Sequence, residues 1–325
     1  MSTPSLPYLD ITDLGVRFTE QSNRSARSAA PYILRHISAR INRNETFCLL
    51  GESGSGKTTL IRALLGLIPF QEGHFVLDGQ KISRNDKPAY RRFPDRMQLV
   101  FQDPSTSLNP FRTLGKSMQE PLQAQGIKQG ERLRIVNRLA EQMGLPAEAL
   151  ERRPGAVSGG QCQRACIGRA LAAKPDILFL DEPLAALDTL TRKKVAKLLV
   201  QVREQYRMTF FLVTHNLSFA ARISSRVAVM YLGRIVEQAP AAQFFQRPGH
   251  PYSQALLSSS LDPALWDRER IVLKGDISSD EPASGCVFYP RCFRRTERCA
   301  TEVPPSHLLG DDHEVCCHFL CTSLP

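Results

Sequence analysis

Gly51-Glu52-Ser53-Gly54-Ser55-Gly56-Lys57-Thr58-Thr59 is the stretch whose reading decides the fold. It fits the spacing G-x-x-x-x-G-K-[ST] of a loop that cradles phosphates. Before it runs Thr46-Phe47-Cys48-Leu49-Leu50, an apolar stretch that predicts a buried strand. After it runs Thr59-Leu60-Ile61-Arg62-Ala63-Leu64-Leu65-Gly66-Leu67, which predicts a helix. Strand, loop and helix in that order are the context the spacing needs. Gly51, Gly54 and Gly56 allow a tight turn that aims several N–H groups at one anion. The helix N-terminus adds its positive end. Lys57 then reaches the terminal phosphates, the Thr58 hydroxyl faces Mg²⁺, and Ser53, Ser55 and Thr59 complete the nucleotide-contacting set. A glycine-rich turn that matches by accident is the alternative. The flanking strand and helix weigh against it.

Outward from this loop, bulk properties narrow the class. The chain has 325 residues, enough for one large α/β domain with appendages or two modest ones. Apolar residues make up 42%, which supports a packed core. The net charge of +10 suits polyanions, namely nucleotide phosphate, nucleic acid or anionic lipid, without choosing among them. No run of 18 apolar residues occurs, so no transmembrane helix is expected. Met1-Ser2-Thr3-Pro4-Ser5 opens no apolar signal region. The expectation is a cytosolic chain, or one held at a membrane by partners. Its nine cysteines are then poor candidates for disulfides.

Residues 7–18 read as a strand and turn, 19–31 as a polar loop, and 32–41 as a half-buried strand by their alternation. A small antiparallel sheet beside the nucleotide core follows. Arg96-Met97-Gln98-Leu99-Val100-Phe101 reads as a strand ending at Gln102. Residues from about 110 to 155 turn helical, with Leu133, Ile135, Val136, Leu139 and Met143 at helical spacing. A helix over 160–173, a strand over 177–180, a helix over 189–206 and a strand over 209–213 follow. That alternation predicts a mainly parallel sheet. Residues 227–236 read as a hairpin turning near Gly233, and the Pro- and Cys-rich segment from about 245 as an appendage.

Strand 177–180 runs into Asp181-Glu182-Pro183, delivering two carboxylates to one sheet edge. Asp181 would assist Mg²⁺ and Glu182 would polarise an attacking water. Between the phosphate loop and these acids lies Val157-Ser158-Gly159-Gly160-Gln161. This resembles the signature Leu-Ser-Gly-Gly-Gln of ATP-binding cassette (ABC) ATPases. A hydroxyl, glycine amides and a helix N-terminus again make an anion site; a plain helix cap is the alternative. Several further roles come from the resemblance alone. Ser158, Gly159, Gly160 and Gln161 would close on ATP held by the opposite subunit. Gln102 would sense Mg²⁺ and the membrane partner. Ala185-Ala186-Leu187-Asp188 would form the D-loop. His215 would contact the γ-phosphate, and Phe18 would stack on adenine. The implied fold is a P-loop α/β core with an antiparallel β subdomain, a helical subdomain over about 103–160 and a small C-terminal Cys-rich extension. The implied domains are 1–244 and 245–325. Val157, Cys162, Ala185 and Asn216 depart from the usual residues, and none of them is Lys57, Asp181, Glu182 or His215.

The resemblance narrows further. Val100-Phe101-Gln102-Asp103-Pro104, Ser107-Leu108-Asn109-Pro110, Thr113-Leu114-Gly115 and Glu120-Pro121-Leu122 look like the oligopeptide/dipeptide/nickel importer subfamily. Gly249-His250-Pro251-Tyr252 and Gly285-Cys286-Val287-Phe288-Tyr289-Pro290-Arg291-Cys292 resemble its C-terminal extension. This implies a peripheral ATPase on the cytoplasmic face of the membrane. Its implied partners are two permease subunits, a second ATPase that is paralogous or identical, and an extracellular or periplasmic substrate-binding protein. Peptides are the first reading of the cargo and nickel or a metal chelate the second. A soluble ABC ATPase acting on nucleic acid is disfavoured, since no stacking platform or basic helix stands out. Cys286, Cys292, Cys299 and Cys317 form a metal-site pattern, with Cys316 or Cys321 as substitutes for the last. Resemblance to some peptide-importer ATPases implies a [4Fe–4S] cluster there. Zinc held by four thiolates and simple packing are the alternatives.

Overall fold

The structure is a computed structural model that describes residues 6–17, 31–84, 96–260, 262–266, 269–275 and 284–320. The chain divides into two compact units, one of residues 1–86 with 214–325 and one of 87–213.

In the first unit, β1 (Leu9–Arg17), β2 (Tyr32–Ile41), β4 (Glu72–Leu77) and β5 (Gln80–Ser83) form an antiparallel sheet in the order β2-β1-β4-β5. This is the antiparallel sheet expected beside the nucleotide core. The tight β4–β5 turn goes beyond that expectation. Asp78 and Gly79 both take positive φ, 52° and 78°, the geometry that matches a two-residue turn to strand twist. Strand β3 (Thr46–Leu50) is buried at every position and leads to α1 (Lys57–Leu64). The helix therefore opens two residues earlier than its apolar spacing implies, inside the glycine-rich motif. It stops before Gly66, which takes φ 70°.

The second unit carries β6 (Met97–Val100), β7 (Ile177–Asp181) and β8 (Thr209–Val213), parallel in the order β6-β7-β8. β7 and β8 are buried at every residue, as parallel strands are. The helical stretch resolves into α2 (Pro104–Ser107), α3 (Leu114–Ala124), α4 (Gln129–Gln142) and α5 (Ala147–Leu150). Then come α6 (Gly159–Ala172) and α7 (Thr189–Tyr206). Leu133 is exposed, whereas Val136, Leu139 and Met143 are buried, so only part of the apolar spacing over 133–143 faces inward.

The chain then returns to the first unit with α8 (Leu217–Ile223), β9 (Arg226–Tyr231) and β10 (Arg234–Pro240). β9 lies parallel to β3, and the β9–β10 hairpin turns at Leu232-Gly233, as the sequence predicts. Beyond α9 (Ala241–Gln246), α10 (Pro251–Ser258) and α11 (Glu297–Thr301) come β11 (Ser306–Gly310) and β12 (His313–Cys316). β12 pairs with β10, so within this unit the order is β11-β12-β10-β9-β3. The Cys-rich tail thus joins the same sheet as the strand that feeds the phosphate loop.

One carboxylate ties this arrangement together. Glu237, on β10 and 1% exposed, accepts hydrogen bonds from the Gly249 and His250 amides at 2.7 and 2.8 Å. Its Oε1 also lies 2.8 Å from His313 Nε2 on β12. A carboxyl group this deeply buried is tolerated only when its oxygens are hydrogen-bonded this fully. His250 caps α10, its Nδ1 accepting from the Tyr252 amide at 3.0 Å. Burial pushes the His250 pKa down to about 4, against a smaller opposing pull from Glu237.

Two outcomes follow from this. Glu237→Gln leaves an amide NH₂ facing at least one N–H donor and is expected to cost about 3 kcal/mol of unfolding free energy in urea denaturation. For His250 the sign is fixed by which state takes up the proton. Between pH 6.5 and about 4 the unfolded chain binds it and the folded chain does not, so stability falls as the pH falls through that window. The loss approaches about 3 kcal/mol at the lower end. His250→Asn, which keeps a capping acceptor, flattens that slope when denaturation is repeated across the pH range.

Candidate functional site

The phosphate loop is shaped by what surrounds its glycines. Gly51 takes φ 148°, and a Cβ there would meet Met230 O of β9 at 2.3 Å. Gly56 takes φ 105° and occupies the N-cap of α1 with no side chain capping the helix. An uncapped first turn leaves N–H groups able to bond an external anion. The loop is pinned from below, because the Gly233 amide donates to Ser55 O at 2.9 Å. Ser55 is 1% exposed.

Lys57 is 7% exposed, and its ammonium donates to Gly51 O at 2.8 Å, Glu52 O at 2.7 Å and Ser55 Oγ at 3.3 Å. The positive charge therefore sits over the loop that presents the N–H groups. Cation, amides and helix dipole converge on one place, the arrangement that holds a polyphosphate. Thr58 and Thr59 follow in the first turn of α1, partly buried. His215 lies in this same unit, exposed, in the segment before α8. Asn216 beside it caps α8 by accepting from the Phe219 amide at 2.9 Å. Phe18 lies outside the described residues.

The remaining predicted residues of the ATP site sit in the second unit. Asp181 ends β7 and is 5% exposed. Glu182 takes φ 49°, a left-handed conformation rare for a residue with a side chain, and its N–H donates to Val213 O at 2.9 Å. Strand and acid are thus separated by a sharp backbone break next to the buried carboxylate. Strain of this kind concentrates at working positions.

Gln102 is exposed just past β6. Ser158 caps α6 in a reciprocal box: its hydroxyl accepts from the Gln161 amide at 3.3 Å, and Gln161 Oε1 accepts from the Ser158 amide at 3.0 Å. The helix-cap reading of that motif is thus realised within the chain, while Ser158 and Gly159 remain exposed at the helix start. Gly160 is required by packing, since a Cβ there would meet Thr191 Cγ2 at 2.2 Å. Asp188 caps α7, accepting from the Leu190 and Thr191 amides at 3.1 and 3.0 Å. The Thr191 side chain and backbone hold its carboxyl below the usual range.

In the tail, Cys286, Cys292, Cys299 and Cys317 line one cavity together with His250 and His318. Cys316 lines a different cavity beside Arg35 and Arg234, and Cys321 lies outside the described residues. Among the described residues no three His, Cys, Asp or Glu side chains lie close enough to hold one metal ion. Burial pushes the Cys286 thiol up. Sequence patterns gave no warning of one feature of the loop. Glu52, a free position of the motif, is fastened by two residues of the C-terminal segment, Tyr252 and Arg291.

No described helix is long and apolar enough to cross a membrane. Residues 34–185 match the family model for ABC transporters, and residues 236–299 match that for the C-terminal region of oligopeptide/dipeptide transporters. A putative peptide import ATP-binding protein of Brucella ovis is 41% identical over 294 residues, covering 90% of this chain and 93% of its own. A probable peptide ABC transporter ATP-binding protein of Sinorhizobium fredii is 39% identical over 286 residues, covering 87% and 81%. Among solved structures, a dimeric ATP-binding cassette in a post-hydrolysis state bound to ADP and Pi superposes with a TM-score of 0.64 at 25% identity. It covers 72% of this chain and 98% of that one. With its phosphate loop, its acid-terminated strand and its signature helix, the chain belongs to the ATP-binding subunits of ABC transporters, in the branch that carries the oligopeptide/dipeptide C-terminal region.

Proposed function

We propose that this chain drives import of peptides by hydrolysing ATP beneath two membrane permease subunits. The observation that carries the reading is the Lys57 ammonium held on the carbonyls of Gly51 and Glu52 at an uncapped helix start. Gly51, Ser53, Gly54, Ser55, Gly56, Lys57, Thr58 and Thr59 bind the nucleotide, with Lys57 reaching the β- and γ-phosphates. The Thr58 hydroxyl, the Gln102 amide oxygen and the Asp181 carboxylate are hard oxygen donors that would hold Mg²⁺ together with phosphate and water oxygens. When bound, it neutralises charge that develops on the phosphates. Glu182 accepts a proton from the attacking water, and His215 donates to the γ-phosphate. Ser158, Gly159, Gly160 and Gln161 complete the site of a second ATPase subunit across a dimer, with Asp188 beside them, and Phe18 stacks on adenine.

The dimeric arrangement of the cassette similar to this chain supports that reading, as do the names of the curated relatives for the peptide cargo. No observation favours nickel or a metal chelate over peptide. The division into an ATPase domain, 1–244, and an extension, 245–325, accompanies this reading. The chain works at the cytoplasmic face with a substrate-binding protein on the other side.

Cys286, Cys292, Cys299 and Cys317 would hold a [4Fe–4S] cluster in the extension. Four thiols lining one cavity are the donor type that such a cluster takes. The cluster would lower the Cys286 pKa that burial raises.

Glu182→Gln in the reconstituted complex is expected to keep ATP binding while turnover falls by about 100-fold or more, the contribution of a general base. Undiminished turnover removes Glu182 from that role. Anaerobically purified protein is expected to contain about four iron and four sulfide per chain, lost on Cys299→Ser. Zinc without iron rejects the cluster.

A further inference from the structure

We infer that Tyr252 and Arg291, both in the C-terminal segment, are positioning residues for the phosphate loop, acting through Glu52. The inference rests on the assignment of residues 51–59 as the phosphate site and goes beyond it, because no part of that motif specifies the residue at Glu52.

Glu52 is held at three points. Its amide donates to Tyr252 Oη at 2.8 Å. Its carboxylate accepts from Arg291 Nη1 at 3.0 Å. Its carbonyl accepts from Lys57 Nζ at 2.7 Å. The first two contacts fix the backbone and side chain of the residue whose oxygen steadies the catalytic ammonium. Displacing Glu52 would displace the Lys57 charge.

The two anchors are rigid. Tyr231, Tyr252 and Phe288 are 2%, 0% and 0% exposed, and their rings pack edge-to-face or tilted with centroids 4.7, 5.1 and 5.3 Å apart. Burial holds the Tyr252 hydroxyl protonated well above the usual range, so its oxygen remains a neutral acceptor for the Glu52 amide. The Arg291 guanidinium lies 5.9 Å from the Tyr231 ring centroid, within cation–π reach. Its side chain is 10% exposed and that of Glu52 33%. An ion pair this sheltered is screened less than a surface pair. Tyr231 also ends the strand whose Met230 carbonyl blocks any side chain at Gly51. Strand end, aromatic cluster and arginine therefore bear on the first two residues of the loop.

A role confined to packing would lower the melting temperature and leave the affinity of folded protein untouched, so affinity is the deciding measurement. Dissociation constants for mant-ATP with Mg²⁺ are measured on the full-length chain. Arg291→Met, Tyr252→Phe and Glu52→Gln are each expected to bind about tenfold more weakly, the worth of one charge-assisted or buried hydrogen bond. Arg291→Lys, which keeps the cation, recovers most of the loss. The Glu52→Gln, Arg291→Met double variant binds no more weakly than either single, since both break one contact.

Wild-type affinity in the single variants, or losses that add in the double, overturns the inference. Glu52→Gln changes a partly exposed side chain and Tyr252→Phe removes one oxygen, so these two decide if Arg291→Met does not fold. Lys57→Ala separates the inference from its premise. If that variant binds normally, the phosphate assignment fails; if it loses ATP while the other variants bind as wild type, only the positioning role fails.

Discussion

A lysine ammonium clasped by the carbonyls of its own loop, at a helix start left uncapped, is the constraint on which the rest of the first unit depends. To hold Lys57 there, Gly51 and Gly56 must take backbone angles closed to other residues, and β9 must press its Met230 carbonyl against Gly51. The β9–β10 turn must bring Gly233 under Ser55, and Gly233 itself has no room for a Cβ, which would meet Ile33 O at 2.1 Å. The loop's amides and its ammonium are therefore held in place by the surrounding backbone. Preorganisation of this kind is where such sites gain most of their electrostatic advantage.

What could be read from the sequence followed from period and spacing. β3, β7 and β8 are short apolar runs bounded by polar or glycine residues, and the ends of α7 and β8 coincide with the ranges read from the pattern. Asp181 and Glu182 were legible because a continuous apolar run that breaks into two adjacent acids marks both the end of a buried strand and the edge it reaches. The β4–β5 hairpin is hard to read from period even though Asp78-Gly79 is a strong two-residue turn signal, since its strand Glu72–Leu77 mixes polar residues into the alternation. Apolar spacing places the start of α1 two residues late because glycine and lysine carry no apolar period. There the helix is defined by the loop's geometry and not by a buried face.

Other features could not be read from local pattern at all. The pairing of β12 with β10 joins residues far apart in the sequence, and nothing in Ser306–Gly310 or His313–Cys316 announces a partner. The buried Glu237 looks like any polar residue on an alternating strand. Its weight comes from two amides and a histidine supplied by segments that the sequence presents only as Pro-rich and Cys-rich. The Ser-Gly-Gly-Gln motif shows the opposite limit. Spacing identified it, yet Ser158 and Gln161 are bonded to each other as a helix cap, and any role toward a second subunit must coexist with that box.

The C-terminal segment is better understood as part of the nucleotide unit's construction than as a passenger. A tethered appendage would leave β10 as an exposed edge strand, with unpaired backbone groups open to stray pairing. Here β12 covers that edge, Glu237 locks the junction, and α10 starts where Glu237 binds the Gly249 and His250 amides. Tyr252 follows two residues into the same helix start, so the bond that caps α10 through His250 also sets the position of the Tyr252 hydroxyl. From there the connection to Glu52 is one hydrogen bond long. Arg291 reaches the same residue from a turn that also carries Cys286 and Cys292 of the thiol-lined cavity. The buried carboxylate, the capped helix and the aromatic cluster form one continuous packed path, and its far end is the loop that holds Lys57.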